Sequence, residues 1–116
     1  MTEIKKHSNI TITVGLDEKN TPASIKWQAD DAPDAQTPQE CKAFLLSIFD
    51  KDHRDTLRID LWTEEMQVVE MDRFMFQTLK GLADTYYRAT QNKELAGAMQ
   101  SFIQYFGEKT EIIPKG

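Results

Sequence analysis

The run Asp55-Thr56-Leu57-Arg58-Ile59-Asp60-Leu61-Trp62-Thr63 constrains this chain more than any other stretch. Leu57, Ile59 and Leu61 alternate with Arg58, Asp60 and Trp62, the period of a strand with one apolar face. A helical pattern follows almost at once, starting at Thr63 or shortly after it. Met71, Phe74, Met75, Thr78, Leu79, Leu82, Ala83 and Tyr86 keep the i, i+3, i+4, i+7 spacing of one helix face. A strand that runs directly into a long amphipathic helix calls for a sheet with helices laid against it.

The rest of the chain is read in the same way. Residues 9–16 alternate Ile10, Ile12, Val14 and Leu16 with Thr11, Thr13 and Gly15. Residues 23–29 alternate Ile25 and Trp27 with Ser24, Lys26 and Gln28. Between them Asp17, Asn20 and Pro22 mark a turn, so the two strands form an antiparallel hairpin. After the polar loop 30–36, Thr37-Pro38-Gln39-Glu40 has the form of a helix start, with Thr37 as cap and Glu40 reaching back. Cys41, Phe44, Leu45, Ile48 and Phe49 then fit one helix face. Asn92 caps a last helix with the stripe Leu95, Met99, Phe102, Ile103 and Phe106, and Pro114 and Gly116 end the chain.

The expected order is therefore β-β-α-β-α-α. It makes an α+β two-layer sandwich, with a three-stranded, mainly antiparallel sheet and three helices packed on one face. That face is made of Ile10, Ile12, Val14, Ile25, Trp27, Leu57, Ile59 and Leu61. Residues 9–113 are read as a single α+β domain, after a polar leader over 1–8 and before a tail over 114–116. A chain of 116 residues is long enough for one core.

The net charge of −5 argues against nucleic acid as a partner, because that affinity comes from Lys and Arg on phosphates. Cys41 is the only cysteine, which excludes an internal disulfide and points to a reducing compartment. The N-terminal residues lack the apolar run of a secretory signal, and no stretch reaches the ~18 apolar residues of a membrane span. There is no lipidation motif, so no direct membrane insertion is expected and the location reads as cytoplasmic.

The wording of several segments resembles the gliding-motility GldC family of Bacteroidetes. Leu16-Asp17-Glu18-Lys19-Asn20 with Pro22, Ile25 and Trp27 resembles that family's N-terminal hairpin. Lys42-Ala43, Leu46-Ser47 and Phe49-Asp50 resemble its next segment, and residues 56–63 are the most specific match. Glu70-Met71, Gln77-Thr78-Leu79, Ala83-Asp84-Thr85, Arg88-Ala89-Thr90 and Lys93-Glu94 continue the likeness along the long helix. Gln67 departs from it, standing where the family pattern has proline. The resemblance implies a small cytoplasmic accessory protein of surface gliding, a machinery linked to type IX secretion. It implies no recognised catalytic residue, cofactor or metal.

The residues themselves agree with a non-enzymatic reading. Asp50, Asp52 and Asp55 around His53 look at first like a metal loop. An EF-hand counted from Asp50 instead meets Arg54 at position 5, Asp55 at 6 and Leu61 at 12, so the loop fails. Cys41 has no nearby His or Asp and reads as a small core hydrophobe. Were it exposed, its place near a helix N-terminus would lower the thiol pKa. His7 and His53 lie far apart in polar segments, and the adjacent acids Asp17-Glu18 and Glu64-Glu65 read as structural.

The polar sheet face, with Thr11, Thr13, Ser24, Lys26, Gln28, Arg58, Asp60 and Trp62, is the better candidate. Trp62 does not suit a plainly solvated face: either it is an interface anchor, for which Trp is a common choice, or it folds over the strand end and packs. Lys26 would join Arg58 and Asp60 if the third strand paired with the second. Tyr87, a quarter-turn off the apolar stripe of its helix, adds to the candidate partner-binding set. The first strand is a poorly protected edge, open to a second copy or to a strand-adding partner. The expectation is docking on a protein component of the gliding or secretion machinery, the alternative being a small chaperone for secretion or assembly.

Overall fold

The computed structural model describes residues 2–114; Met1 of the leader and Lys115 and Gly116 of the tail lie outside the described residues. The chain is α+β and divides into two compact units, residues 1–66 and 67–116.

The first unit is all strand. β1 (Ile10–Leu16) pairs antiparallel with β2 (Pro22–Ala29), and Ile12 faces Trp27 across the ladder while Val14 faces Ile25. The turn between them is closed as its residue types require. Asp17 Oδ1 accepts the backbone N–H of Lys19 at 2.8 Å and of Thr21 at 3.0 Å, and Asn20 takes a positive φ of 62°. At the other end of the hairpin, Asp30 accepts the backbone N–H of Asn9 at 3.0 Å and its side-chain amide at 3.2 Å.

The expected helix over 37–49 is absent. In its place stand β3 (Gln39–Cys41) and β4 (Ala43–Phe49), two parts of one strand bent at Lys42. β3 pairs with β2, and β4 pairs with β5 (Thr56–Trp62), both antiparallel. The sheets are therefore β1-β2-β3 and β4-β5, rather than one sheet of three strands. The physical reason lies in Phe44, Leu45, Leu46, Ile48 and Phe49. This run is apolar on both faces, so it satisfies period 2 as well as period 3.6, and the unpartnered strand at 56–62 decides between them. The Thr37–Glu40 start signal also fails. Gln39 Nε2 instead donates to the Thr37 carbonyl at 3.3 Å. Ile25 is the largest fully buried side chain, worth roughly 1.5–3 kcal/mol of burial.

The second unit is a helical hairpin. α1 (Val68–Thr90) begins later than Thr63, with Gln67 as its N-cap. Glu70 reaches back to accept the Gln67 backbone N–H at 3.0 Å. Gln91 and Asn92 connect α1 to α2 (Lys93–Lys109), and Asn92 caps α2 as expected, accepting the Leu95 N–H at 3.0 Å. The described residues thus form two helices, not three.

The seam of the hairpin is Phe76, Ala83 and Ile103, with Leu79, Met99 and Phe106 packed around it. Phe76 lies outside the stripe read from the sequence, whereas Leu82, inside that stripe, is exposed. Likewise Leu95 and Phe102 of the α2 stripe face solvent, and Ala96 and Gly107 are buried in their stead.

Candidate docking surfaces on the second hairpin

β4 and β5 place their side chains on two faces fixed by register. Trp62 sits across from Ala43, Asp60 from Leu45, Arg58 from Ser47 and Thr56 from Phe49. This is the face that the sequence singles out. Trp62 is 53% exposed and Phe49 67%. Arg58 Nη2 donates to Asp60 Oδ2 along the strand, and both groups remain open to solvent. An ion pair so placed is worth about 0–1 kcal/mol and is easily exchanged for another partner. The face offers an aromatic anchor, two apolar neighbours in Leu45 and Phe49, and one charge of each sign.

Lys26 is not brought to this group, because β5 pairs with β4 and not with β2. It lies in the other sheet, across from Thr13 on one side and Glu40 on the other. Tyr87 is half-buried on α1, in the helical unit.

The opposite face of the hairpin carries no polar side chain. Phe44 sits across from Leu61, Leu46 from Ile59 and Ile48 from Leu57. Leu57 and Ile59, expected in the core, are 65% and 49% exposed, and Ile48 matches Ile59. Exposure rises toward the tip, where Phe44, Leu46 and Leu61 give way to Ile48 and Leu57. Reading 37–49 as a helix hid this face. The alternation Phe44-Leu46-Ile48, set against Leu57-Ile59-Leu61, is the signal that reveals it.

The tip loop spends its acid on its own backbone. Asp50 Oδ2 accepts the N–H of His53 at 2.6 Å and of Asp52 at 3.1 Å, and lies 3.0 Å from His53 Nδ1. The His53 backbone bond, followed by its ring, holds the Asp50 carboxyl below the usual carboxylate range. Arg54 completes the loop at a positive φ of 58°. Among the described residues no three His, Cys, Asp or Glu side chains gather where a metal ion could sit.

Cys41 is on β3 rather than a helix, so no helix N-terminus acts on its thiol. It is half-buried across from Ile25, and burial pushes the thiol pKa up. It lines an open cleft of about 250 Å³ with Ser24, Glu40, Lys42, Thr63 and Glu65. In the helical unit a groove of about 410 Å³ has Phe76, Ala83 and Ile103 at its floor and Lys80, Asp84 and Gln104 at its rim. No helix among the described residues is long and apolar enough to cross a membrane.

These features define an α+β protein with an antiparallel strand unit, a helical hairpin and exposed apolar side chains on one two-stranded arm. The chain belongs to the gliding motility-associated GldC-like family, whose pattern it matches over residues 22–112. No curated protein and no solved structure matches it.

Proposed function

We propose that this chain is a non-enzymatic accessory protein of gliding motility that works by docking on a protein component of that machinery. Family membership supplies the link to gliding. The observation that carries the docking reading is Trp62, more than half exposed beside the Arg58–Asp60 pair and on the same face as Leu45 and Phe49. An aromatic side chain flanked by exchangeable charges is the composition of an interface hot spot. The partner would be a cytoplasmic or cytoplasm-facing component of the gliding and type IX secretion apparatus.

A second reading is a small chaperone for secretion or assembly of that apparatus. One observation favours it: the all-apolar face of Ile48, Leu57 and Ile59 suits extended or unfolded clients. Crosslinking pull-down from the native cell, with wild type beside Trp62→Ala and Leu57→Ser/Ile59→Ser, separates the two. Recovery of one motility component, lost with Trp62→Ala only, supports docking through the Trp62 face. Many unrelated clients, lost with the double substitution only, supports the chaperone reading.

A further inference from the structure

β1 is an edge strand, and the bonds at its start fix which of its backbone groups face outward. The N–H of Asp30 donates to the carbonyl of Asn9 at 3.0 Å, so Asn9 and Asp30 form a hydrogen-bonded pair. In an antiparallel ladder such pairs alternate with non-bonded ones. Thr11, Thr13 and Gly15 therefore turn their backbone groups toward β2. Ile10, Ile12 and Val14 turn theirs to the open edge. The Ala29 N–H, bonded to the Ala35 carbonyl at 2.8 Å on the side of β2 away from β1, agrees with this parity.

The usual protections of an edge are missing here. No Lys, Glu or Pro lies between Ile10 and Leu16, and the irregularity at Gly15/Leu16 comes only after the regular stretch.

We propose that β1 pairs with β1 of a second copy, antiparallel about a two-fold axis at Ile12, giving a continuous six-stranded sheet. The strand is its own complement in this register. Ile12 meets Ile12, Ile10 meets Val14, and Thr11 meets Thr13, so apolar residues fall opposite apolar ones and threonines opposite threonines. Such cross-strand pairs are favourable, and a two-fold axis requires this kind of self-match. The flanks match in charge. Just past the strand ends, Lys6 of one copy lies toward the acidic turn Asp17-Glu18 of the other. Lys6 already holds Asp31 at 3.2 Å in its own chain, and Glu18 would share it. The register centred on Thr13 is poorer, since it pairs Ile10 with Leu16, which lies beyond the irregularity.

Cysteine crosslinking in a Cys41→Ala background reads the register directly. Thr11 and Thr13 are exposed, so substitution leaves the fold intact. Opposed non-bonded pairs lie about 4.5 Å apart at Cα, within disulfide reach. Mixed T11C and T13C chains should form a covalent dimer under mild oxidation, and neither alone should, because like positions are offset by two residues. In sedimentation velocity the unsubstituted chain should dimerise, and T11K/T13K, which opposes like charges twice, should weaken the dimer roughly tenfold. A chain that stays monomeric through the micromolar range overturns the proposal. So does a dimer that T11K/T13K leaves unchanged, or a T11C chain that crosslinks with itself as fast as the mixture.

Discussion

Gly107 and Gly81 are the same residue in the same kind of element, yet a methyl group added to each meets different surroundings. At Gly107 it would lie 2.6 Å from the Phe76 ring and 2.7 Å from Ile113. At Gly81 and Gly97 it would meet nothing within 4 Å. Gly107→Ala should therefore destabilise the helical hairpin, since overpacking costs about 1–3 kcal/mol and alanine's helix advantage returns about 1. Gly81→Ala and Gly97→Ala carry only the second effect and should stabilise by up to about 1 kcal/mol. Urea unfolding of the three variants checks the opposite signs. Asp50 offers a different test. Its folded carboxyl pKa is lowered by the His53 backbone bond, so the loop stabilisation it gives is present above the unfolded pKa and is lost as pH falls through the folded one. The Asp52 and His53 amide signals should titrate together, with a midpoint below the ordinary value of about 3.9, in an NMR pH series. Asp50→Asn should abolish that titration.

Apart from the helix start at Thr37–Glu40, the elements that the sequence declares through local chemistry are the ones found. The Asp17 turn, the Asn92 cap and the helical periods after residue 67 each rest on residues close together in the chain. The run 41–49 could not be assigned that way, because its side chains fit either period and its partner strand lies beyond the 50–55 loop. With that strand misassigned, the expectation of a single three-stranded sheet failed too, and so did the burial expected of Leu57 and Ile59. Of the candidate site, Arg58, Asp60 and Trp62 share a face as their alternation implies, but Lys26 could be placed only by knowing which strands pair. The end of α2 shows a local feature with no sequence marker. The Ile112 N–H bonds the Gly107 carbonyl at 2.9 Å and the Glu111 N–H bonds the Glu108 carbonyl at 3.1 Å, a Schellman closure. Its left-handed position, φ 64°, is held by Glu111 where glycine is usual. Glu111→Gly should relieve that strain and stabilise by about 0.5–1 kcal/mol, after glycine's extra freedom in the unfolded chain is set against it. Thermal unfolding would show a raised midpoint; a lowered one would mean that the glutamate side chain itself supports the closure.

For the molecule as a whole, the balance between charge and exposed apolar surface governs its behaviour in solution. Net charge is −5 near neutral pH, and the sequence pI is about 5.0. Mutual repulsion at neutral pH opposes association through the exposed Ile48, Phe49, Leu57, Ile59 and Trp62 of the second hairpin, where no backbone pairing offsets it. As pH falls toward the pI, carboxylates take up protons, the repulsion fades and the apolar faces are free to meet. Light scattering should therefore rise sharply as pH 5 is approached and fall again in more acid solution. Leu57→Ser/Ile59→Ser leaves the charge unchanged and removes the two most exposed β5 side chains of the all-apolar face, so it should flatten the rise while circular dichroism stays the same. β1 pairing answers to T11K/T13K and the hairpin faces to the serine pair. If the serine variant scatters like the wild type, association near the pI runs through another surface, and the exposed stripe Leu95, Phe102 and Tyr105 of α2 is the next to change.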